Sequence, residues 1–193
     1  MDYEVNMRSL NIMAGCLGAA ILLAPPVAAQ APEDDPIAVA GSYVDAMQAS
    51  DFDRMATLMH PASLAELREI FSPVLASDAG PEIIHAIGLP PPGELAELSD
   101  TEFFAAFMRA IVSADSTMAD ALREARADLL GSVPEGADTV HVVYRMRTNV
   151  EGVDVSEMSV LSLGRWENTW RGLLAGDLAG LAAVFQGIAE DDR

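Results

Sequence analysis

"TVHVVYRMR", residues 139–147, alternates between a mainly apolar and a mainly polar row of side chains. The first row holds the even positions, Val140, Val142, Tyr144 and Met146, and the second holds the odd positions, Thr139, His141, Val143, Arg145 and Arg147. Successive side chains of a strand point to opposite faces of a sheet, so this stretch is predicted to be a strand with one covered and one open face.

Further strand signals surround this stretch, separated only by short turns. Residues 116–130 fit both a helical face and a strand pattern, and a strand from about Ala125 is favoured. Later strands are predicted at 153–164 and 168–175, and the predicted turns are "PEGAD" (134–138), "NVEG" (149–152) and "GRWEN" (164–168). Strands joined this closely must be antiparallel, so residues from about 125 to 175 are predicted to form a meander.

The preceding residues carry apolar side chains at helical spacing. Helices are predicted behind the caps Asp35 and Asp51, behind "SLAE" (63–66) as a capping box and up to Pro73, and behind Ser99 with Glu102 as a second box. "LPPPGE" (89–94) is predicted to be a surface loop. Helices followed by an antiparallel meander predict an α+β fold, with the N-terminal helices packed on one face of the sheet.

The N-terminal residues have the features of a secretory signal. Arg8 precedes an uncharged apolar run from Leu10 to Leu23, and prolines and small residues follow. The run is shorter than the roughly 20 residues that cross a bilayer. We therefore expect residues 1–31 to be a signal peptide cleaved near Ala29 or Ala31, and the protein to be exported, periplasmic or secreted; an uncleaved anchor and lipidation are the alternatives. Residues 32–36 form an acidic lead, and 37–189 are expected to be one domain.

Charge and composition restrict the partners. The chain has 30 acidic residues against 11 arginines and no lysine, with a net charge of −19. This charge repels phosphate backbones and anionic lipids, so we expect no nucleic-acid partner and no stable membrane insertion after cleavage. The single cysteine, Cys16, lies in the predicted signal. The three histidines show no metal-ligand spacing, and no phosphate-binding or dinucleotide-binding motif is present, so no cofactor or metal is expected.

Two regions resemble the nuclear transport factor 2-like, or ketosteroid isomerase-like, superfamily. They are "YVDAMQASDFDRMATLMHP" (43–61), similar to its opening helix pair, and "VHVVYRM…SVLSLGRWENTWRGLLAG" (140–176), similar to its last strands. The resemblance implies a curved sheet that wraps the helices into a cone with an inner pocket. Tyr43 matches the oxyanion-holding tyrosine of the isomerases. Their catalytic aspartate has no counterpart, because Leu67 lies near its expected position.

Five residues are the candidates for a ligand pocket: Tyr43, His141, Arg145, Trp166 and Trp170. If the odd row of 139–147 faces water, its arginines are expected to pair with acids such as Asp154 or Glu157. If that row lines the concave side, Arg145 would hold a carboxylate and His141 would act as an acid or base.

Three functions follow from these alternatives. The first is non-enzymatic binding of a small apolar or amphipathic ligand or of a protein partner. The second is an isomerase- or cyclase-type enzyme that uses a pocket histidine or tyrosine. The third is an envelope module that oligomerises, for example as a homodimer, through its sheet face.

Overall fold

The computed structural model of the protein describes residues 34–174, except 79, 115 and 151–152. The predicted signal peptide, the first two residues of the acidic lead and the end of the predicted domain lie outside these residues. No helix within the described part is long and apolar enough to cross a membrane.

The described residues form a helical part followed by a sheet. The helices are α1 (Pro36–Gln48), α2 (Phe52–Thr57), α3 (Pro61–Ala76), α4 (Gly80–Ala86), α5 (Pro92–Glu97), α6 (Asp100–Ala114) and α7 (Ser116–Glu124). The strands are β1 (Arg126–Glu135), β2 (Thr139–Val150), β3 (Val153–Trp166) and β4 (Thr169–Gly172). They pair antiparallel in the order β1-β2-β3-β4. The predicted α+β fold with a curved antiparallel meander is confirmed, as is a strand after Ala125.

Local capping explains where several helices begin. Asp35 accepts a hydrogen bond from the backbone N–H of Ile37, and Asp51 accepts one from Arg54, each at 3.0 Å. The Ser99–Glu102 capping box also forms: the Ser99 N–H donates to Glu102 at 2.8 Å, and the Glu102 N–H donates to Ser99 Oγ at 3.3 Å. These side chains satisfy N–H groups that have no partner within the helix.

Three local predictions are wrong. Residues 63–66 are not a capping box, because α3 already begins at Pro61 and Ser63 Oγ accepts instead from the N–H of Leu174 at 3.1 Å. The same helix continues through Pro73 to Ala76, although proline has no N–H to donate to the carbonyl four residues before it. Within 89–94, Pro92 begins α5 rather than continuing a loop, since proline fits the first helical position.

The final hairpin is tighter than predicted. β3 runs through Trp166, and the turn consists of Glu167 and Asn168, with φ values of 46° and 66°. Two consecutive positive φ values are the mark of a type I′ turn, whose twist matches that of the strands it joins. Trp166 and Thr169 therefore lie directly opposite each other.

The helices cover the even row of β2, where Val140 and Val142 are buried. These residues form a sheet cluster with α1 and the neighbouring strands, which consists of Val39, Ala40, Val140, Val142, Leu161, Leu163 and Trp170. A second, helical cluster is built around the rings of Phe71, Phe103 and Phe107. Tyr43 packs against both clusters and so joins the helical part to the sheet.

The chain segment before α3 also binds the edge of the sheet. The His60 N–H donates to the carbonyl of Gly172, and the Gly172 N–H donates to the carbonyl of Leu58, both at 2.8 Å. A Cβ at Gly172 would lie 2.9 Å from Met59 Sδ, so any larger residue here would make the Met59 side chain move. The contact places the α2–α3 junction beside the last hairpin.

Candidate functional site

The five predicted pocket residues do not share one pocket in the described structure. Tyr43 and Trp170 lie in the core, His141 and Arg145 lie on the sheet face opposite the helices, and Trp166 lines a surface cleft. The odd row of β2 is therefore the row that the helices leave uncovered. We call this side of the sheet the open face.

The two core aromatics serve packing. Burial, with a smaller contribution from the neighbouring Tyr144, raises the pKa of Tyr43 above its ordinary value, so its hydroxyl stays protonated at physiological pH. Trp170 is 8% exposed, and its indole N–H donates to the carbonyl of Asp34 at 3.1 Å. The guanidinium of Arg165 lies over the Trp170 ring, 4.4 Å from its centroid. These contacts fix the start of α1 on the sheet.

His141 is the centre of a hydrogen-bonded chain on the open face. Its Nε2 lies 2.7 Å from Glu135 Oε2, and its Nδ1 lies 2.9 Å from Ser162 Oγ. A carboxylate only accepts, so in neutral histidine Nε2–H donates to Glu135 and Nδ1 accepts from the Ser162 hydroxyl. A carboxylate, an imidazole and a serine hydroxyl bonded in this order can activate the serine as a nucleophile. However, these residues line none of the three clefts described below, so none of those clefts would hold a substrate over Ser162.

Arg145 lies in the same row, opposite Asp128 of β1 and Met158 of β3. The carboxylate of Asp128 pairs instead with Arg147, and Arg145 has no ion-pair partner among the described residues. The expected pairing of arginines with Asp154 or Glu157 is wrong. Asp154 accepts from Asn149 at 2.9 Å, and Glu157 faces the other side of the sheet, opposite Met146.

Among the clefts of the described surface are three with volumes of about 580, 390 and 340 Å³. The first, which we call the hairpin cleft, lies between the β3–β4 hairpin, the α2–α3 junction and the start of α6. Its apolar lining consists of Ala56, Met59, Pro61, Leu64 and Trp166, and its polar lining consists of Thr57, Asp100, Thr101, Glu167, Thr169 and Arg171. Its volume lies within the range of about 300–1,000 Å³ that is typical of small-molecule sites.

Trp166 is 40% exposed, and its neighbours hold it in the hairpin cleft. The type I′ turn begins directly after it, and the Thr169 hydroxyl donates to its carbonyl at 2.8 Å. The ring of His60 packs edge-on against its indole. His60 Nδ1 in turn accepts from the N–H of Ala62 at 3.1 Å, so the first turn of α3 orients the imidazole.

Charged groups surround the apolar lining of the hairpin cleft. Asp100 accepts from Arg68 Nε at 2.5 Å, and Arg171 donates to the carbonyl of Thr57 at 3.3 Å. Glu167 is exposed and has no hydrogen bond or ion pair within the described part of the chain. The cleft therefore offers an aromatic ring, apolar surface, the carboxylate of Glu167 and the guanidinium of Arg171, which together suit an amphipathic molecule.

Sequence reasoning identified Trp166 but missed the rest of the hairpin cleft. Asp100 was not singled out from the sequence, and Glu167 was interpreted only as part of a turn. No local pattern brings residues 56–64, 100–101 and 166–171 together, because the β4 edge contact and the packing of α2 on α6 create that proximity. The described residues contain no group of three or more side chains placed to hold a metal ion.

The chain matches no protein-family model, no curated protein and no solved structure.

Proposed function

We propose that the protein is an exported, non-enzymatic binding domain of the nuclear transport factor 2-like class, which holds a small amphipathic ligand in the hairpin cleft. The observation that carries this proposal is the half-exposed indole of Trp166 above apolar side chains. Exposed tryptophan is uncommon away from binding surfaces, since its large ring gains most from being covered.

The charges at the cleft favour a ligand with a cationic group. Asp100 is already paired with Arg68, and Arg171 keeps its positive charge while one of its N–H groups donates to the carbonyl of Thr57. The carboxylate of Glu167 remains for the ligand, and the face of the Trp166 ring attracts a cation as well. The net charge of −19 also raises the local concentration of cations at the surface.

The site differs from the inner pocket that the superfamily resemblance implies. Between α1 and the sheet, Tyr43 and Trp170 pack among Val39, Ala40 and Val142, so side chains fill this region. The isomerase or cyclase alternative gains no support from this arrangement. His141 and Tyr43 lie on opposite faces of the sheet and do not form a common pocket.

Tryptophan fluorescence tests the proposal, because the chain has two tryptophans and only one lies in the cleft. A Trp170→Phe variant leaves Trp166 as the single reporter. We expect octyltrimethylammonium, below its micelle concentration, to cause a saturable blue shift of Trp166 emission, and octanoate of the same chain length to cause a smaller one.

Two further variants assign the effect to the cleft. Glu167→Gln is expected to remove the preference for the cation, whereas Glu97→Gln, at an exposed position on α5 outside the cleft, is expected to keep it. The proposal is wrong if neither amphiphile gives a saturable change while circular dichroism shows that the variant is folded.

A further inference from the structure

The open face carries an uncovered apolar patch, which we call the valine patch: Val133, Val143, Met158 and Val160. Val143 lies directly opposite Val160, Met158 follows two residues away on the same face of β3, and Val133 is a diagonal neighbour on β1. Val133, Met158 and Val160 are 57%, 53% and 56% exposed. A contiguous apolar surface across three strands indicates that something covers it. None of these residues lines the hairpin cleft, so the inference is independent of the proposed function.

Unpaired arginines lie beside the valine patch. Arg145 and Arg126 have no carboxylate partner among the described residues, although the chain has a large excess of acids. Both lie on the open face, in neighbouring strands and two residues apart in register. The surface that covers the patch should therefore also present carboxylates.

The described chain ends beside this face. The Leu173 N–H donates to the carbonyl of Ser162 at 2.8 Å, so the segment continues along the edge of β3 past the end of β4. A Cβ at Gly164, a residue of the open face, would lie 2.9 Å from Leu173 Cδ2. The side chain of Leu173 thus already lies on the open face, whereas Leu174, the last described residue, packs on the helical cluster and donates its N–H to Ser63 Oγ.

The sequence after Leu174 matches what the open face lacks. Leu178, Leu181, Phe185 and Ile188 are spaced three, four and three residues apart, which is the pattern of one apolar helical face. Glu190, Asp191 and Asp192 follow. An eleven-residue helix is about 16 Å long. The four strands span three interstrand spacings, or about 14 Å.

We propose that residues 178–188 of this chain dock as a helix across the valine patch and place the acids at 190–192 against Arg145 and Arg126. Apolar side chains of the segment would cover the exposed valines, and the acids would neutralise the unpaired guanidinium groups. A second copy of the chain is the competing occupant. The tethered segment has the advantage, because a short linker gives an effective concentration in the millimolar range, and because two chains of charge −19 repel each other.

Paramagnetic relaxation enhancement in the full chain tests this proposal. A spin label is attached at Ala189→Cys in a Cys16→Ser background, which leaves one thiol. The amide signals of Val143, Met158 and Val160 are expected to lose most of their intensity. A label at Glu82→Cys, an exposed position on α4, is expected to leave these signals unchanged.

Substitutions then identify the contacts. Phe185→Asp introduces a charge into the apolar face of the segment and is expected to restore the signals, and Arg145→Glu is expected to restore them in part. Ala183→Asp is the matched control, because position 183 lies opposite the apolar face on a helix, and the broadening should persist.

Two results would overturn the proposal. One is the absence of broadening in the labelled chain, or broadening that survives Phe185→Asp. The other is broadening in a mixture of ¹⁵N-enriched unlabelled chain with spin-labelled chain of natural isotope content. That result would assign the covering segment to a second copy instead.

Discussion

The imidazole ring of His60 meets the indole ring of Trp166 edge-on, with 5.4 Å between the ring centroids and 75° between the ring planes. His60 belongs to the junction of α2 and α3, whereas Trp166 ends β3. The contact therefore joins the helical part to the last hairpin at the hairpin cleft. The ring nitrogen Nδ1 of His60 accepts from the N–H of Ala62, and the backbone N–H of His60 donates to the carbonyl of Gly172. These two hydrogen bonds fix both the ring and the backbone of His60.

His60→Ala is expected to loosen this corner. The variant loses the acceptor of the Ala62 N–H and the ring contact with Trp166, so we expect the free energy of unfolding to fall by about 1 kcal/mol. Urea unfolding measures the loss, and the fluorescence anisotropy of Trp166 in a Trp170→Phe background should decrease. His85→Ala, at an exposed position on α4, is the control and should change stability by less than about 0.5 kcal/mol. Equal stability losses in the two variants would contradict the role given to His60.

Arg68 connects three helices through its planar guanidinium. It binds Asp100 and the carbonyl of Leu98 at 2.5 Å each, reaches the carbonyl of Leu95 at 3.3 Å, and lies over the ring of Phe103. Lysine keeps the charge but has neither the fork of donors nor the flat surface, so Arg68→Lys is expected to destabilise the fold by about 1–3 kcal/mol.

The matched control for this prediction is Arg109→Lys. Arg109 pairs with Asp53 at 3.1 Å on the surface, where an ion pair contributes less than about 1 kcal/mol. Chemical denaturation of both variants under the same conditions compares their losses of unfolding free energy. If Arg68→Lys is as stable as the wild type, the contacts of Arg68 are not needed to hold α5 and α6 on α3.

The sheet was predictable because its signals are local. Alternation in 139–147 separates covered Val140 and Val142 from uncovered His141 and Arg145, and each side chain's face follows from the pleat alone. The same logic identified the capping box at Ser99. Where a tertiary contact competes with a local pattern, the local interpretation is wrong: Ser63 binds the N–H of Leu174 instead of capping a helix.

The hairpin cleft could be predicted only in part. Trp166 and Trp170 are equivalent in sequence as turn-flanking aromatics, yet one is half exposed and the other is buried. The difference depends on the type I′ turn at Glu167 and on the direction of α1, which packs on the side of Trp170. Neither feature has a periodic signal, so the sequence alone gives no reason to separate the two rings.

A buried leucine and an exposed leucine of the sheet, Leu163 and Leu130, test which face of the sheet is covered. Leu163 is 0% exposed in the sheet cluster, whereas Leu130, the unpaired residue of the β1 bulge, is 47% exposed. Leu163→Ala leaves a cavity and is expected to cost about 2–5 kcal/mol of unfolding free energy. Leu130→Ala should cost less than about 1 kcal/mol, since most of its surface is already in water. Similar losses in thermal or urea unfolding would contradict the observed orientation of the sheet.

Burial of Tyr43 predicts how stability depends on alkaline pH. Its pKa is raised in the folded state, mainly by burial, whereas in the unfolded chain it titrates near pH 10. Below that pH the hydroxyl is protonated in both states, so its ionisation does not change the free energy of unfolding. Above it, the unfolded chain loses the proton while the folded protein keeps it, so ionisation favours unfolding and stability falls as pH rises.

The Tyr43→Phe variant cannot ionise, and we expect its unfolding free energy, measured in urea from about pH 8 to about pH 11, to fall less steeply than that of the wild type. Tyr144→Phe serves for comparison, because the pKa of Tyr144 is also raised but its ring is only half-buried. Identical pH slopes for the wild type and Tyr43→Phe would mean that the Tyr43 hydroxyl reaches water in the folded protein, in conflict with its position between the two hydrophobic clusters.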